Sequence, residues 1–306
     1  MEAYFGGLPE GLTSGKIRSE PPEFTSEVKG PRGEPLLEIW RSLPGGYSCF
    51  AYCEGLTFAI DRDGRHVWAE WSGPVTTEDA SAFFLGQILG FVLHLRGHIC
   101  LHASAVAVEC KAVLFAGEPG MGKSSTAAAF ADRGCPILAD DVSAVKRGPA
   151  GELLVMPGFP RVCLWPDSAD FLYGPGSAGR YPRVQPAEEK LLVRLDTTEG
   201  KFRTEPAPLG AIYLLAPRTP DESAPRIESV ETAQQLLGLI ANGYVSLALG
   251  QEHREEEFRM LGEMGRTAPV RRLVPSNDPE KLGELCELVM NDLAAQTAPV
   301  AARAER

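Results

Sequence analysis

The chain has 306 residues, with 41 acidic against 30 basic side chains and a formal charge of −11. That length can bury the core of one large domain or two. The acidic balance, without clustered Lys and Arg, argues against a nucleic-acid surface, and no apolar run approaches the ~18 residues of a membrane span.

Residues 1–40 are rich in Pro, Gly, Ser and Glu, with Pro21-Pro22 and Gly30-Pro31 as breakers, and read as irregular or edge-strand material. The opening lacks a basic segment followed by an apolar stretch, so the protein is expected to be untargeted, cytoplasmic and without a membrane partner. From Tyr47 the pattern turns strand-like. Segments 47–53, 56–61 and 66–71, separated by the turn pairs Glu54-Gly55 and Asp63-Gly64, predict a small antiparallel meander. Thr76-Thr77-Glu78-Asp79 reads as a capped helix start. Behind it Phe83, Phe84, Ile88, Leu89, Val92 and Leu95 recur at helical spacing, so one helix is expected through Arg96 with this stripe in the core. The seven cysteines are scattered and mostly set in apolar sequence, as reduced core thiols are. Cys49-x-x-x-Cys53 has no second Cys or His pair at zinc spacing.

The next segment, 99–108, has the length and β-branched content of a strand, and Glu109-Cys110-Lys111 turns it into a second apolar run. The two strands are expected as neighbours, which brings His102 into the sheet beside the loop that leaves the second strand. Taken alone, His102 reads as a hydrogen-bonded core or surface histidine rather than a catalytic group.

That loop is Gly117-Glu118-Pro119-Gly120-Met121-Gly122-Lys123-Ser124, the pattern G-x-x-x-x-G-K-S. Its glycines let several backbone N–H groups turn toward one point, and the helix expected over 124–133 adds the positive end of its dipole. Lys123 would reach the outer phosphates of a nucleoside triphosphate, and Ser124 would offer its hydroxyl to Mg²⁺. A plain Gly-Pro turn between strand and helix has no need of the Gly-Lys-Ser ending. Next, Pro136-Ile137-Leu138-Ala139 ends at Asp140-Asp141, and 142–145 continues the apolar run. Neighbouring side chains of an extended chain face opposite ways, so the two carboxylates are expected to take different tasks: one beside Mg²⁺, one accepting the proton of an attacking hydroxyl. In a right-handed crossover their strand is expected to return alongside the loop strand. Further on, 231–241 and 279–293 read as amphipathic helices, 270–274 as a strand, 252–257 as a solvated charged helix face, and 297–306 as a mobile tail.

Three segments together resemble the catalytic core of HPr kinase/phosphorylase and its HPr-kinase-like relatives: 101–105 around His102, the loop 117–125, and 133–141 ending in the aspartates. Pro157-Gly158-Phe159-Pro160-Arg161-Val162-Cys163-Leu164-Trp165-Pro166-Asp167, with 208–215, is most similar to the branch found in gene clusters for ribosomally made peptides, including lasso-peptide kinases. The resemblance implies an α/β fold, a P-loop kinase core of mixed twisted sheet flanked by helices, behind an N-terminal β-meander and helix. It divides the chain into 1–98, a catalytic domain 99–295 and a tail 296–306. It implies ATP-dependent phosphorylation of a serine hydroxyl with Mg²⁺ as cofactor. Asp140 falls on the base, assisted by His102 and Lys123, while Ser124 and Asp141 fall on the metal side. Gly117, Gly120, Met121, Gly122 and Ser125 complete the nucleotide loop.

Two family features are missing, a Glu-x-Arg-Gly segment after the aspartates and a Gly- and Arg-rich C-terminal loop, so HPr itself is not the expected acceptor. A peptide or protein bearing a serine, a precursor peptide among them, fits better. Arg161 is then a candidate contact to phosphate or acceptor, against an exposed strand-end arginine. A small-molecule kinase or nucleotide transferase, and behind it an ATPase, are the alternatives, and self-assembly into a homo-oligomer is left open.

Overall fold

The computed structural model describes residues 1–184, 189–196, 199–244 and 250–297, and the chain forms two compact units of mixed α/β structure. Residues 1–98 and 250–257 make the first, and the remainder the second. The tail expected from 296 lies, beyond 297, outside the described residues. Among the described residues no helix is long and apolar enough to cross a membrane.

The first unit holds β1 (Glu2–Phe5), α1 (Ser14–Ser19), β2 (Phe24–Thr25), β3 (Leu37–Leu43), β4 (Tyr47–Tyr52), β5 (Leu56–Ile60) and β6 (His66–Trp71). They form one sheet in the order β1-β6-β5-β4-β3-β2, antiparallel except for the β1–β6 pair. The meander of β4, β5 and β6 stands where turn pairs and strand patterning predict it. The stretch before it is more ordered than its composition suggests. Trp40 and Leu43 of β3 and Ile17 of α1 are buried with Cys49, Ala51 and Ala59, and the Trp40 indole N–H donates to the Glu20 carbonyl at 2.9 Å.

Thr76 and Asp79 form the capping box that starts α2 (Thr77–Phe83). The single helix expected through Arg96 is instead broken: a π-helical segment, Phe84–Ile88, separates α2 from α3 (Leu89–Leu95). Gly86 sits at φ −95°, ψ −109° inside it, a break open to a residue without Cβ. Phe84, Ile88 and Val92 are buried as the stripe requires.

In the second unit β7 (Ile99–Val108) and β8 (Lys111–Ala116) form an antiparallel hairpin, followed by α4 (Lys123–Ala131), β9 (Ile137–Ala139), β10 (Val142–Arg147) and β11 (Leu153–Val155). Then come β12 (Arg161–Leu164), α5 (Pro166–Tyr173), β13 (Leu191–Arg194), β14 (Ala207–Leu215), β15 (Arg226–Ser229) and α6 (Thr232–Ala241). The last elements are α7 (Gln251–Thr267), of which 258–267 belong to this unit, β16 (Val270–Val274) and α8 (Leu282–Thr297). Strand order is β11-β10-β7-β8-β14-β16-β15, and β9 pairs with β7. The aspartate strand therefore neighbours β7, not the loop strand β8 as the crossover rule suggests; β8 is flanked by β7 and β14.

Strands β8, β14 and β16 run parallel, so their carboxyl ends share one edge of the sheet. Because β7 is antiparallel to β8, with Ala103 opposite Ala116, the amino-terminal part of β7 lies at that edge too. The alanine-rich α4 buries nearly its whole surface, and Phe130 packs on Phe115 at 5.4 Å between ring centroids, with Tyr213 stacked behind at 5.9 Å. Burying one such phenyl ring contributes roughly 2–3 kcal/mol. That packing fixes α4 and the loop before it.

Candidate active site

The loop 117–122 leaves β8 at the shared edge and enters α4 at Gly122, whose φ of +97° belongs to the left-handed region where glycine is at ease. No side chain caps the helix start. Its first N–H groups therefore face the cleft without a built-in acceptor, an arrangement suited to an anion. The side chain of Lys123 is buried, and its ammonium donates to the carbonyls of Gly117 at 2.7 Å and Glu118 at 3.1 Å. Burial pulls its pKa down to about 8, with Lys190 adding to the effect and Asp141 and Asp140 opposing it.

The aspartates sit at a kink. β9 and β10 both pair with β7, but the ladder breaks between Ala139 and Val142, and Asp141 takes φ +71°. That conformation costs a non-glycine residue roughly 1–2 kcal/mol, less for Asp than for most. Its effect is to send the two carboxylates to different places. Asp140 accepts from the Ser104 hydroxyl at 2.6 Å and from the Cys163 backbone N–H at 2.8 Å, and the Ser124 hydroxyl is a further partner. Burial nonetheless raises its pKa, with the Asp141 charge pushing the same way. Asp141 lines the cleft. His102 Nδ1 lies 3.3 Å from its Oδ1 and the Tyr244 hydroxyl 3.4 Å from its Oδ2.

Strand alternation on β7 explains half of this: His102 and Ser104, two apart, share a face, and each lies against one aspartate. The other half comes from the 157–165 segment. The Gly158 N–H donates to the Leu138 carbonyl at 2.7 Å, and a Cβ there would meet the Ala139 Cβ at 3.2 Å, so the backbone passes tightly along β9 and delivers Cys163 to Asp140. His102 is kept below its ordinary pKa by burial first and by the Lys123 charge second, against the pull of Asp141.

Of the residues singled out from sequence, His102, Gly120, Gly122, Lys123, Ser124, Ser125 and Asp141 line one cleft, and Asp140 stands directly behind Ser124. Gly117 supplies the carbonyl that holds Lys123, and Met121 faces an adjoining cavity. Arg161 is not among the cleft-lining residues; its guanidinium lies 5.9 Å from the Phe159 ring centroid. Two cations of the cleft lie outside every sequence motif. Lys190 lines the cleft with its ammonium 6.0 Å from the Trp165 ring centroid. Arg218 follows β14 at the shared edge, where its Nη2 lies 2.9 Å from the position a Cβ on Gly122 would take. Pairing β14 beside β8 is the signal that would have pointed to Arg218.

No protein-family model matches the chain. Over 101 residues it is 28% identical to an HPr kinase/phosphorylase of Lachnoclostridium phytofermentans, a match covering 32% of each protein, so the chain spans about a third of that relative's length. A search of solved structures finds the Hpr(Ser) kinase/phosphatase from Coxiella burnetii at 14% identity, covering 65% of this chain and 99% of that one with a TM-score of 0.35. That similarity covers a third of the chain, and HPr kinase/phosphorylase is also the family its loop and aspartate segments resemble.

Proposed function

We propose that the cleft transfers the terminal phosphoryl group of ATP to a hydroxyl acceptor. The observation that carries this reading is the convergence of an uncapped glycine loop, Lys123 and the His102–Asp141 pair on one cleft, with Asp140 behind Ser124. Lys123, Lys190 and Arg218 would face the triphosphate and offset its charge as it redistributes. The Ser124 hydroxyl and the Asp140 carboxylate are the hard oxygen donors that suit Mg²⁺, which when bound would add positive charge beside the outer phosphates.

In this reading the roles of the two aspartates are the reverse of the order expected from sequence. Both Asp140 oxygens are engaged, and it stands beside the metal-binding hydroxyl, whereas Asp141 opens onto the cleft. Asp141 takes the acceptor's proton while the acceptor oxygen bonds to the γ-phosphorus. The bond to the β–γ bridging oxygen then breaks, and the nucleoside diphosphate leaves. His102, favoured as neutral imidazole by its lowered pKa, stands with Nδ1 3.3 Å from the Asp141 carboxylate and leaves its charge in place.

The acceptor we favour is a serine on a peptide or protein, a precursor peptide included. The exposed Trp165 joins the cleft to an open depression lined by Tyr181 and Glu189, room for residues flanking such a serine. The test is mass spectrometry after incubation with ATP, Mg²⁺ and a panel of serine peptides, proteins, small alcohols and nucleosides. A mass gain of one phosphate on a peptide or protein serine is the expected result. Labelling of small molecules alone would replace the acceptor class, and nucleotide hydrolysis without any labelled acceptor would leave an ATPase.

A further inference from the structure

Beside the cleft lies a second cavity, of about 280 Å³, that the reaction chemistry leaves unused. The two are continuous, since Gly122, Ser125, Ser168 and Arg218 line both. Its walls come from the same sheet edge: α5 contributes Phe171 and Leu172, and the segment after β16 contributes Pro275 and Asn277. That segment is pinned. The Asn277 N–H donates to the Thr219 carbonyl at 2.9 Å, and the Thr219 N–H to the Pro275 carbonyl at 3.1 Å. Phe171 is 45% exposed despite its size, and the Asn277 side-chain amide has no protein partner among the described residues.

An exposed aromatic face, a neighbouring leucine and one open carboxamide at the end of a phosphate cleft form the surroundings a flat heteroaromatic ring needs. We propose that this cavity receives the nucleobase of the phosphoryl donor, with Phe171 packing on the ring and Asn277 reading its edge. A carboxamide offers one donor and one acceptor side by side, which matches the N6–H and N7 of adenine, whereas the same edge of guanine presents two acceptors, O6 and N7. Read on that edge, the cavity favours an adenine nucleotide. This inference rests on the phosphate-cleft reading and adds to it the residues that choose the donor.

Calorimetric titration of the full chain with ATP, GTP and inorganic tripolyphosphate, each with Mg²⁺, tests it. Phe171→Ala is expected to weaken ATP on the order of tenfold and leave tripolyphosphate unchanged. Asn277→Ala is expected to shrink the preference for ATP over GTP at equal tripolyphosphate affinity. Circular dichroism of both variants guards against misfolding, and Phe171→Leu serves where the alanine variant unfolds. Equal losses for ATP and tripolyphosphate in a folded variant, or no loss for either, would overturn the base-pocket assignment while leaving the phosphate cleft standing. Wild-type protein that binds none of the three ligands would overturn both.

Discussion

Asp140 offers the sharpest separation between what holds the site together and what it does. Its oxygens accept one hydrogen bond from Ser104 and one from the backbone of Cys163. Replacement by Ala orphans the Cys163 N–H, whereas the Ser104 hydroxyl can rotate to another acceptor, so the expected loss is about 1–3 kcal/mol. Asn keeps an oxygen for the Cys163 N–H and turns its NH₂ to Ser104, whose oxygen can accept. It also removes a charge that burial disfavours, so Asp140→Asn should lie within ~1 kcal/mol of wild type.

The pH dependence gives an independent handle. A carboxyl whose folded pKa is raised binds protons more readily in the native state, so its contribution is most favourable below the unfolded value near 4 and declines as pH rises through the folded one. Stability of Asp140→Asn relative to wild type should therefore improve with rising pH through that window. Thermal unfolding at several pH values, at about 2–4 °C per kcal/mol for a unit of this size, resolves these differences. An Ala variant as stable as Asn, or an Asn variant whose gap to wild type does not move with pH, would refute the geometry assigned to this carboxylate. Both variants should need far more Mg²⁺ for nucleotide binding.

Lys123 should make triphosphate affinity pH-dependent. With a free-state pKa of about 8 and binding that favours the charged form, affinity is full below pH 8 and falls by up to tenfold per pH unit above it; Lys123→Ala should bind weakly with that slope lost. Gly122→Ala combines left-handed strain with a Cβ 2.9 Å from the Arg218 guanidinium, so it should lose about 1–2 kcal/mol of stability and most nucleotide affinity. Gly134→Ala, also at positive φ but with open space around its Cβ, should lose stability alone, as calorimetry and melting curves would show. His102→Gln should lower kcat with little change in the KM for ATP, because His102 lies against the proposed proton acceptor, 3.3 Å from its Oδ1.

Much of the site was legible because local signals carried it. The Gly-Lys-Ser ending, the hairpin of β7 and β8 and the Asp-Asp after an apolar run all lie within a short span, and each element has its own pattern. Illegible were the features that depend on long-range pairing. Arg218 matters only because β14 inserts beside β8, Tyr244 only because Leu101 bridges Gly243, and Lys190 only through the chain's return beside Trp165. The proposed division of roles between the aspartates hinges on a left-handed residue at Asp141, which composition does not announce. In the first unit, Pro and Gly concealed β3 and α1, whose Trp40, Leu43 and Ile17 are buried in one cluster. The break at Gly86 escaped because apolar spacing continues through it.

The proposed transfer turns on Asp141, facing the cleft beside His102, as the group that accepts the acceptor's proton. The measurement closest to it compares single-turnover transfer from ATP to a labelled acceptor by wild type and Asp141→Asn, with nucleotide affinity measured on the same samples. The expected result is a rate lower by on the order of 10²–10⁴ at nearly unchanged ATP affinity. An Asp141→Asn protein that transfers phosphate at close to the wild-type rate, or one whose only defect is lost nucleotide binding, would contradict that role.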